Sequence, residues 1–528
     1  MKIVFIFPFK NKKLGSPIKW LPAGSAVLIG NIKRDFPQII FHQIDLEEEI
    51  KKAFKENKFD KNYLKVINCL SSIKRDIPTN KDLTRFNNFF SDLVDYLKLG
   101  SYDHYFFSVY ERYKIGIKAN ILLARYLKNK YKKKKIVFGG IFGVGDEYGE
   151  KMRKRIFFSD FVDACVVGPG EISTKEIIIN LLDNKELKRV YQKFTPPNLC
   201  FIGPPDYKKF KSIKYFQHSC DDLETLYNID LPKNKTSKKI LFIPYMFSLG
   251  CFWSKCSYCR QSRRSQRPNF FLKNDISQII NDLFELKENY NTNFFIFYNN
   301  NFNSNLEFSK KLLRAIIKSK LNILWTDSFN LRVMDNELLD LLVQSGCFRM
   351  DIGCAILNPK LQKLYHNILQ NRHLRQLKRI SERGIWTQIN VIVNMPYQYT
   401  VKKDKAILNR YMPYIDSVSL YNYIRKIGSD LGENYEKYDL KIINEKIHTR
   451  GFQDSILYYI ENDFKGTIEK RKKLFVENNL ELRNFFTKHK KPVNSVHLYL
   501  LGYLYNNFGF GNKDKIRKIV NKAESQNI

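Results

Sequence analysis

Short apolar runs recur along the first part of the chain, and stretches with helical spacing separate them. The runs Ile3–Phe7, Ile39–Ile44, Tyr105–Val109, Ile136–Phe138 and Ala164–Val167 predict strands, and Lys118–Lys130 predicts one of the helices between them. Strands that are apolar throughout, alternating with helices, predict a parallel sheet covered on both faces. Five such strands suit a doubly wound, flavodoxin-like domain over residues 1–195, with its ligand crevice at the carboxyl ends of the strands. Gly139-Gly140 and Gly168-Pro169-Gly170-Glu171 follow two of these strands. They either bring backbone close to a ligand or a neighbouring element, or simply make tight turns.

The pattern loosens over 196–238, where Pro196, Pro197, Pro204, Pro205 and Pro232 punctuate polar sequence; this predicts a linker. A second alternating block follows over 239–430. Its strand candidates are Ile240–Phe247, Phe294–Tyr298, Ile323–Trp325, Phe348–Ile352, Gln388–Val393 and Ser417–Tyr421. Helical candidates between them are Ile276–Glu288, Phe308–Lys318, Asp335–Gln344 and Leu374–Arg383. Six βα units in a row predict a partial (β/α)6 TIM-type barrel with active groups at the strands' carboxyl ends; an open doubly wound sheet is the competing arrangement. Residues 431–528 are rich in Lys, Asn and Tyr and predict a mostly helical C-terminal region. No internal repeat or heptad pattern runs through the chain.

The hydrophobic share, 44%, is that of packed domains rather than a disordered chain. No apolar run reaches the ~18–20 residues of a membrane span. The apolar start is broken by Pro8 and Lys10, which fits a first strand better than a signal peptide and predicts a cytoplasmic protein. The formal charge of +37 fits either a polyanionic partner or compositional drift. Lysines are spread throughout, and the densest run, Lys132–Lys135, falls where a helix should end before a strand.

Nine cysteines, an odd number, argue against a disulfide framework. Cys69, Cys165, Cys200, Cys220, Cys347 and Cys354 are scattered and read as buried small side chains. Cys251, Cys256 and Cys259 stand together in Ser248-Leu-Gly-Cys-Phe-Trp-Ser-Lys-Cys-Ser-Tyr-Cys-Arg260, directly after the first strand of the second block. Three thiolates on one loop can hold three corners of a cubane cluster and leave its fourth iron open, since ordinary four-iron clusters take four cysteines. A zinc site completed by Cys220 or His218, a redox Cys-x-x-Cys pair and a chance grouping are the alternatives.

This loop resembles the cluster loop of radical S-adenosylmethionine enzymes. The spacing Cys-x4-Cys-x2-Cys, with Gly-Cys-aromatic-Trp before the second cysteine, resembles the branch that carries an N-terminal cobalamin-binding domain. Phe7-Pro8, Leu21-Pro22-Ala23-Gly24, Ile44-Asp45, Ser108, Gly139-Gly140 and Val167 to Glu171 resemble landmarks of that domain. Phe297 to Phe302, Gly346-Cys347 through Gly353, Asn394-Met395-Pro396 with Thr400, and Gly428-Ser429 resemble strand ends of its barrel. The resemblance implies a [4Fe–4S] cluster on the three cysteines, S-adenosyl-L-methionine on the open iron, and Tyr258 beside the adenine. It implies Asn299, Asn300 and Asn394 as further cofactor-binding positions, and cobalamin in the first domain. It also implies a peptide or small-molecule substrate, an electron donor such as flavodoxin or ferredoxin, and a 5′-deoxyadenosyl radical used for methylation or a related modification.

The chain departs from the family's pattern in places. Asn299 and Asn300 replace residues that are often acidic, Gly353-Cys-Ala-Ile356 replaces Gly-x-Glu-Ser, and Asn394 stands where glycine is usual. No Asp-x-His-x-x-Gly offers a lower ligand to cobalt; His42 and His104 read as strand-flanking residues. RNA modification by the same radical, of the methylthiolation type, and a non-catalytic zinc protein that binds nucleic acid are the competing functions; the charge favours the first of these.

Overall fold

The computed structural model describes residues 1–7, 21–56, 58, 70, 72–73, 77–109, 114–140, 155–157, 159–168, 170–192, 203–233, 239–259, 271–332, 334–366, 372–426, 428–447, 455–494 and 498–526. Pro8, Cys69, Pro169, Pro196, Pro197, Cys200 and Arg260 lie outside them. Two compact units are formed, Met1–Gln217 and His218–Ile528. Part of the stretch expected as a linker is helical: Lys211–Phe216 in the first unit and Cys220–Tyr227 in the second, the latter started by a reciprocal Ser219–Asp222 capping box.

The first unit holds a parallel sheet of six strands: β1 (Lys2–Phe7), β2 (Ile40–Asp45), β3 (His104–Val109), β4 (Ile136–Gly140), β5 (Ala164–Val167) and β6 (Val190–Gln192). Their order, β2-β1-β3-β4-β5-β6, is the flavodoxin-like order with one strand added. The added strand, three residues long, is too short to give a sequence signal. Alternation along β1 feeds two separate cores. Val4 and Ile6 join Tyr105, Phe107 and Phe138 on one face, and Ile3 and Phe5 join Phe41, Phe106 and Val137 on the other. Gly140 has φ +118°, and a Cβ there would lie 2.4 Å from the Val109 carbonyl oxygen, so this glycine serves a close approach between neighbouring strands. His42 and His104 sit within β2 and β3 rather than beside them.

The second unit starts with β7 (Phe242–Tyr245), which ends short of the expected Phe247. The chain then turns into β8 (Ser248–Gly250), paired antiparallel with β9 (Phe271–Lys273). β10 (Phe294–Phe297), β11 (Leu324–Phe329), β12 (Cys347–Gly353), β13 (Trp386–Val393) and β14 (Ser417–Asn422) follow. The order β14-β13-β12-β11-β10-β7 is sequential and parallel, with helices between strands. Pro244, which has no N–H to give, is tolerated because β7 is an edge of this sheet.

The last part of the chain departs from the helical expectation by one hairpin, β15 (Leu440–Ile447) with β16 (Ser455–Glu461). Its helices are not peripheral. Helix Leu498–Phe508 is buried from Leu498 through Tyr505. It packs Tyr499 against Phe242, Tyr505 against Phe348, and Gly502 against Phe242 and Phe294. Phe242 and Phe294 open β7 and β10, and Phe348 is the second residue of β12, so the helix fills the amino-terminal end of the sheet. The carboxyl end is left to the three-cysteine loop.

Candidate active site

β8 leads into the three cysteines through Gly250, whose φ of +132° suits glycine alone. Asn299, just past β10, fixes this entry. Its Oδ1 accepts from the Phe247 N–H (3.3 Å), the Ser248 N–H (2.9 Å) and the Ser248 hydroxyl (2.8 Å). Its Nδ2 donates to Asp327 Oδ2 on β11 at 2.6 Å. Asn300 Oδ1 accepts from the Gly250 N–H at 3.0 Å, and Asn301 Nδ2 donates to Cys251 Sγ at 3.7 Å. Three consecutive asparagines thus tie the end of β10 to the loop.

Further along, the Ser257 N–H donates to the Tyr365 carbonyl (3.1 Å), and the Ser257 carbonyl accepts from the Leu431 N–H (2.9 Å). The Trp253 indole N–H donates to the His366 carbonyl at 2.8 Å. Arg332 stacks over the Trp253 ring, 4.3 Å from its centroid, and Lys255 lies at 5.4 Å, so two cations gather on this ring of the loop. The Cys259 N–H donates to the Cys256 carbonyl (2.9 Å), closing the turn that brings the last two cysteines together.

None of the three cysteines is in a disulfide, and all are partly exposed. Burial first, then the neighbouring charges of Cys259 and Cys251, push the Cys256 thiol up to about 12. The other two thiols therefore lie near enough for their charges to act on Cys256. A single tetrahedral zinc with Zn–S bonds near 2.3 Å holds its sulfurs ~3.8 Å apart. The three sulfurs do not all lie within 4.8 Å of one another; among the described residues the triad that meets that limit is Cys220, Asp221 and Glu224. Close but spread sulfurs fit separate corners of a cluster better than one ion. The zinc alternative also loses its nominated fourth ligands. His218 pairs with Ile240 ahead of β7 and packs on Tyr499, at the end of the strand opposite to the loop, and Cys220 follows it there.

The other predicted positions are distributed as follows. Tyr258 is partly buried against a cluster that includes Ile356, Tyr365, Leu431 and Tyr438, and burial raises its hydroxyl well above the usual phenol value, with Cys256 adding to the rise. Asn394 is buried at the end of β13 with φ +62°. Asn is the residue after glycine that best tolerates that conformation, which accounts for the departure at this position. Its amide is occupied by Asn422 Oδ1 (3.0 Å), the Phe475 carbonyl (3.1 Å) and Asn478 Nδ2 (3.2 Å). Asn299 and Asn300 reach the cysteine loop; Asn394 is held by β14 and by helix Ile468–Lys488. Cys347 and Cys354 are buried.

Sequence reasoning missed Asp327. It is buried, accepts from the Ser328 N–H (2.7 Å) and from Asn299, and burial holds its carboxyl well above the usual range, with Asp351 pushing the same way. Arg349 meets Asp351 at 2.6 Å one strand over. The available signal was charged residues inside the apolar strands Leu324–Phe329 and Cys347–Gly353.

A parallel sheet with a three-cysteine loop at its carboxyl end defines a class, and the comparisons agree. Residues 245–404 match the Radical SAM superfamily model, so this segment carries a radical SAM catalytic domain. Among solved structures, the chain is similar to the radical S-adenosylmethionine methyltransferase TsrM from Kitasatospora setae, at 13% identity and TM-score 0.60 over 99% of both chains. It is also similar to the cobalamin-dependent S-adenosylmethionine radical enzyme OxsB, at 12% identity and TM-score 0.53, over 94% of this chain and 58% of that one. At these identities the likeness is one of fold. No curated protein sequence matches the chain. No described helix is long and apolar enough to cross a membrane.

Proposed function

We propose that this protein is a cobalamin-dependent radical S-adenosylmethionine enzyme that modifies an unreactive carbon of a peptide or small natural product, most directly by methylation. The observation that carries the reading is the trio Cys251, Cys256 and Cys259, near enough for the outer two to act on the Cys256 thiol yet with sulfurs that do not all lie within 4.8 Å of one another. When bound, the cofactors supply an electron from a [4Fe–4S] cluster to S-adenosylmethionine, a 5′-deoxyadenosyl radical from its cleavage, and a methyl group carried on cobalamin. Within this reading, residues 1–195 are the cobalamin domain and 239–430 a partial barrel. Support for the first comes from the flavodoxin-like strand order, and for both from the likeness in fold, over 99% and 94% of this chain, to TsrM solved with cobalamin and a [4Fe–4S] cluster and to OxsB solved with aqua-cobalamin.

The chain's own residues hold and orient. The three thiolates bind the cluster, and Asn299, Asn300 and Asn301 set the loop that bears them. Tyr258, backed by apolar side chains, offers a ring wall for the adenine. Arg332 and Lys255, on the Trp253 ring, offset the negative charge that three thiolates bring. Anaerobic reconstitution tests the reading: incubation with S-adenosylmethionine and a reductant is expected to give methionine and 5′-deoxyadenosine in wild type and neither in Cys256→Ala. Equal turnover by both proteins contradicts it. RNA modification is the second reading, favoured by the net charge of +37, and salt-sensitive tRNA binding distinguishes it.

A further inference from the structure

Apart from the cysteine loop, the first unit has a cavity of about 340 Å³ at the amino ends of β1 and β3, beside the edge strand β2. This is the end of the sheet away from the crevice where doubly wound domains take their cofactors, and its volume is in the range of small-molecule sites. Five lysines line it: Lys2, Lys52, Lys98, Lys209 and Lys211 come from four separate stretches of chain. Two glutamates line it as well, but both are engaged. Glu49 Oε1 accepts from the Ser212 hydroxyl at 2.6 Å, and Glu56 accepts from the Tyr96 hydroxyl at 3.3 Å and lies 3.8 Å from Lys52. The ammonium groups of Lys2, Lys98, Lys209 and Lys211 have no carboxylate partner among the described residues. Folding gathers five ammonium groups here against two carboxylates, an excess of positive charge.

Two further features point to a ligand. His42 lines the cavity, and its pKa is lowered by burial and then by Lys209, Lys211 and Lys2, so three lysines act on one point inside the pocket. Two tyrosines are in the walls: Tyr102 packs edge-on against His42 at 5.2 Å, and the Tyr96 ring lies 5.9 Å from the Lys52 ammonium. We propose that this cavity binds a small phosphate-bearing molecule, a pyrophosphate or nucleoside diphosphate, with the phosphates on the lysines and any planar base against Tyr96 and Tyr102. Ammonium groups bind phosphate as point charges, and a ring face takes a base without reading its identity.

The test is acetylation footprinting of the full chain, with and without inorganic pyrophosphate, ADP or uncharged adenosine, read by peptide mass spectrometry. Pyrophosphate and ADP at ~10 times Kd are expected to slow labelling of Lys98, Lys209 and Lys211 about tenfold and to leave the exposed Lys132 and Lys133 unchanged. Protection by ADP at lower concentration than by pyrophosphate assigns the nucleotide; equal protection assigns the free anion. The double variant Lys209→Gln/Lys211→Gln, at surface positions, is expected to weaken pyrophosphate binding at least about tenfold. Equal slowing at Lys132 and Lys133, protection by adenosine alone, protection by tRNA but by neither small anion, or unchanged affinity in the double variant each overturns the proposal.

Discussion

Asn299 shows how one side chain can decide a site's character. A carboxylate in its place accepts the same three hydrogen bonds from Phe247 and Ser248 but has no N–H for Asp327, 2.6 Å away. The amide bridges an array of donors and a buried acid, so the loss of the family's acidic residue follows from the acid one strand over. Asn299→Asp is therefore expected to lower the denaturation midpoint, and more so as pH rises, because both carboxyls then lose their protons side by side. Urea unfolding at pH 5 and pH 8 measures this; a smaller deficit at pH 8 contradicts it. Asn299→Ala takes this partner from four buried groups and is expected to cost about 2–4 kcal/mol in the same assay. The three cysteines were legible because their spacing is chemical and local. Asp327 was not, since its partner is 28 positions away and only the sheet joins them.

The strands of both parallel sheets were legible as elements because burial on both faces makes them apolar throughout; Ala164–Val167 agrees to the residue, and most others to within two or three. The β15–β16 hairpin was not: its strand Leu440–Ile447 alternates poorly, and pairing rather than pattern defines it. Helix Leu498–Phe508 was legible as helical sequence but not as part of the sheet's core. Gly502→Ala tests its placement. Alanine elsewhere in a helix gains about 1 kcal/mol over glycine, but here its Cβ meets the Phe242 ring at 2.7 Å. A net loss of about 1 kcal/mol is expected from overpacking; a stabilised variant shows that the helix sits elsewhere.

Across the second unit, the end of the chain is tied back to the sheet by charge. Asp416, buried just ahead of β14, pairs with Lys513 at 2.8 Å and with Arg517, and accepts from the Thr387 N–H at 2.7 Å. Burial alone raises its pKa, but the two cations outweigh this and hold it below the usual value. A depressed carboxylate stabilises the fold above its unfolded pKa, near 3.9, and that contribution is lost as pH falls through the folded value. Asp416→Asn strands the buried Lys513 and takes one of two carboxylate partners from Arg517, which keeps Asp514, and is expected to cost about 3 kcal/mol at pH 7. The gap to wild type should narrow as pH drops below ~4; a constant gap contradicts the assignment. The central claim, that the cysteine loop holds a four-iron cluster, is tested most directly by metal and acid-labile sulfide analysis after anaerobic reconstitution. About four irons and four sulfides per chain, no zinc, and loss of both in Cys256→Ala are expected; one zinc per chain with no sulfide contradicts the account.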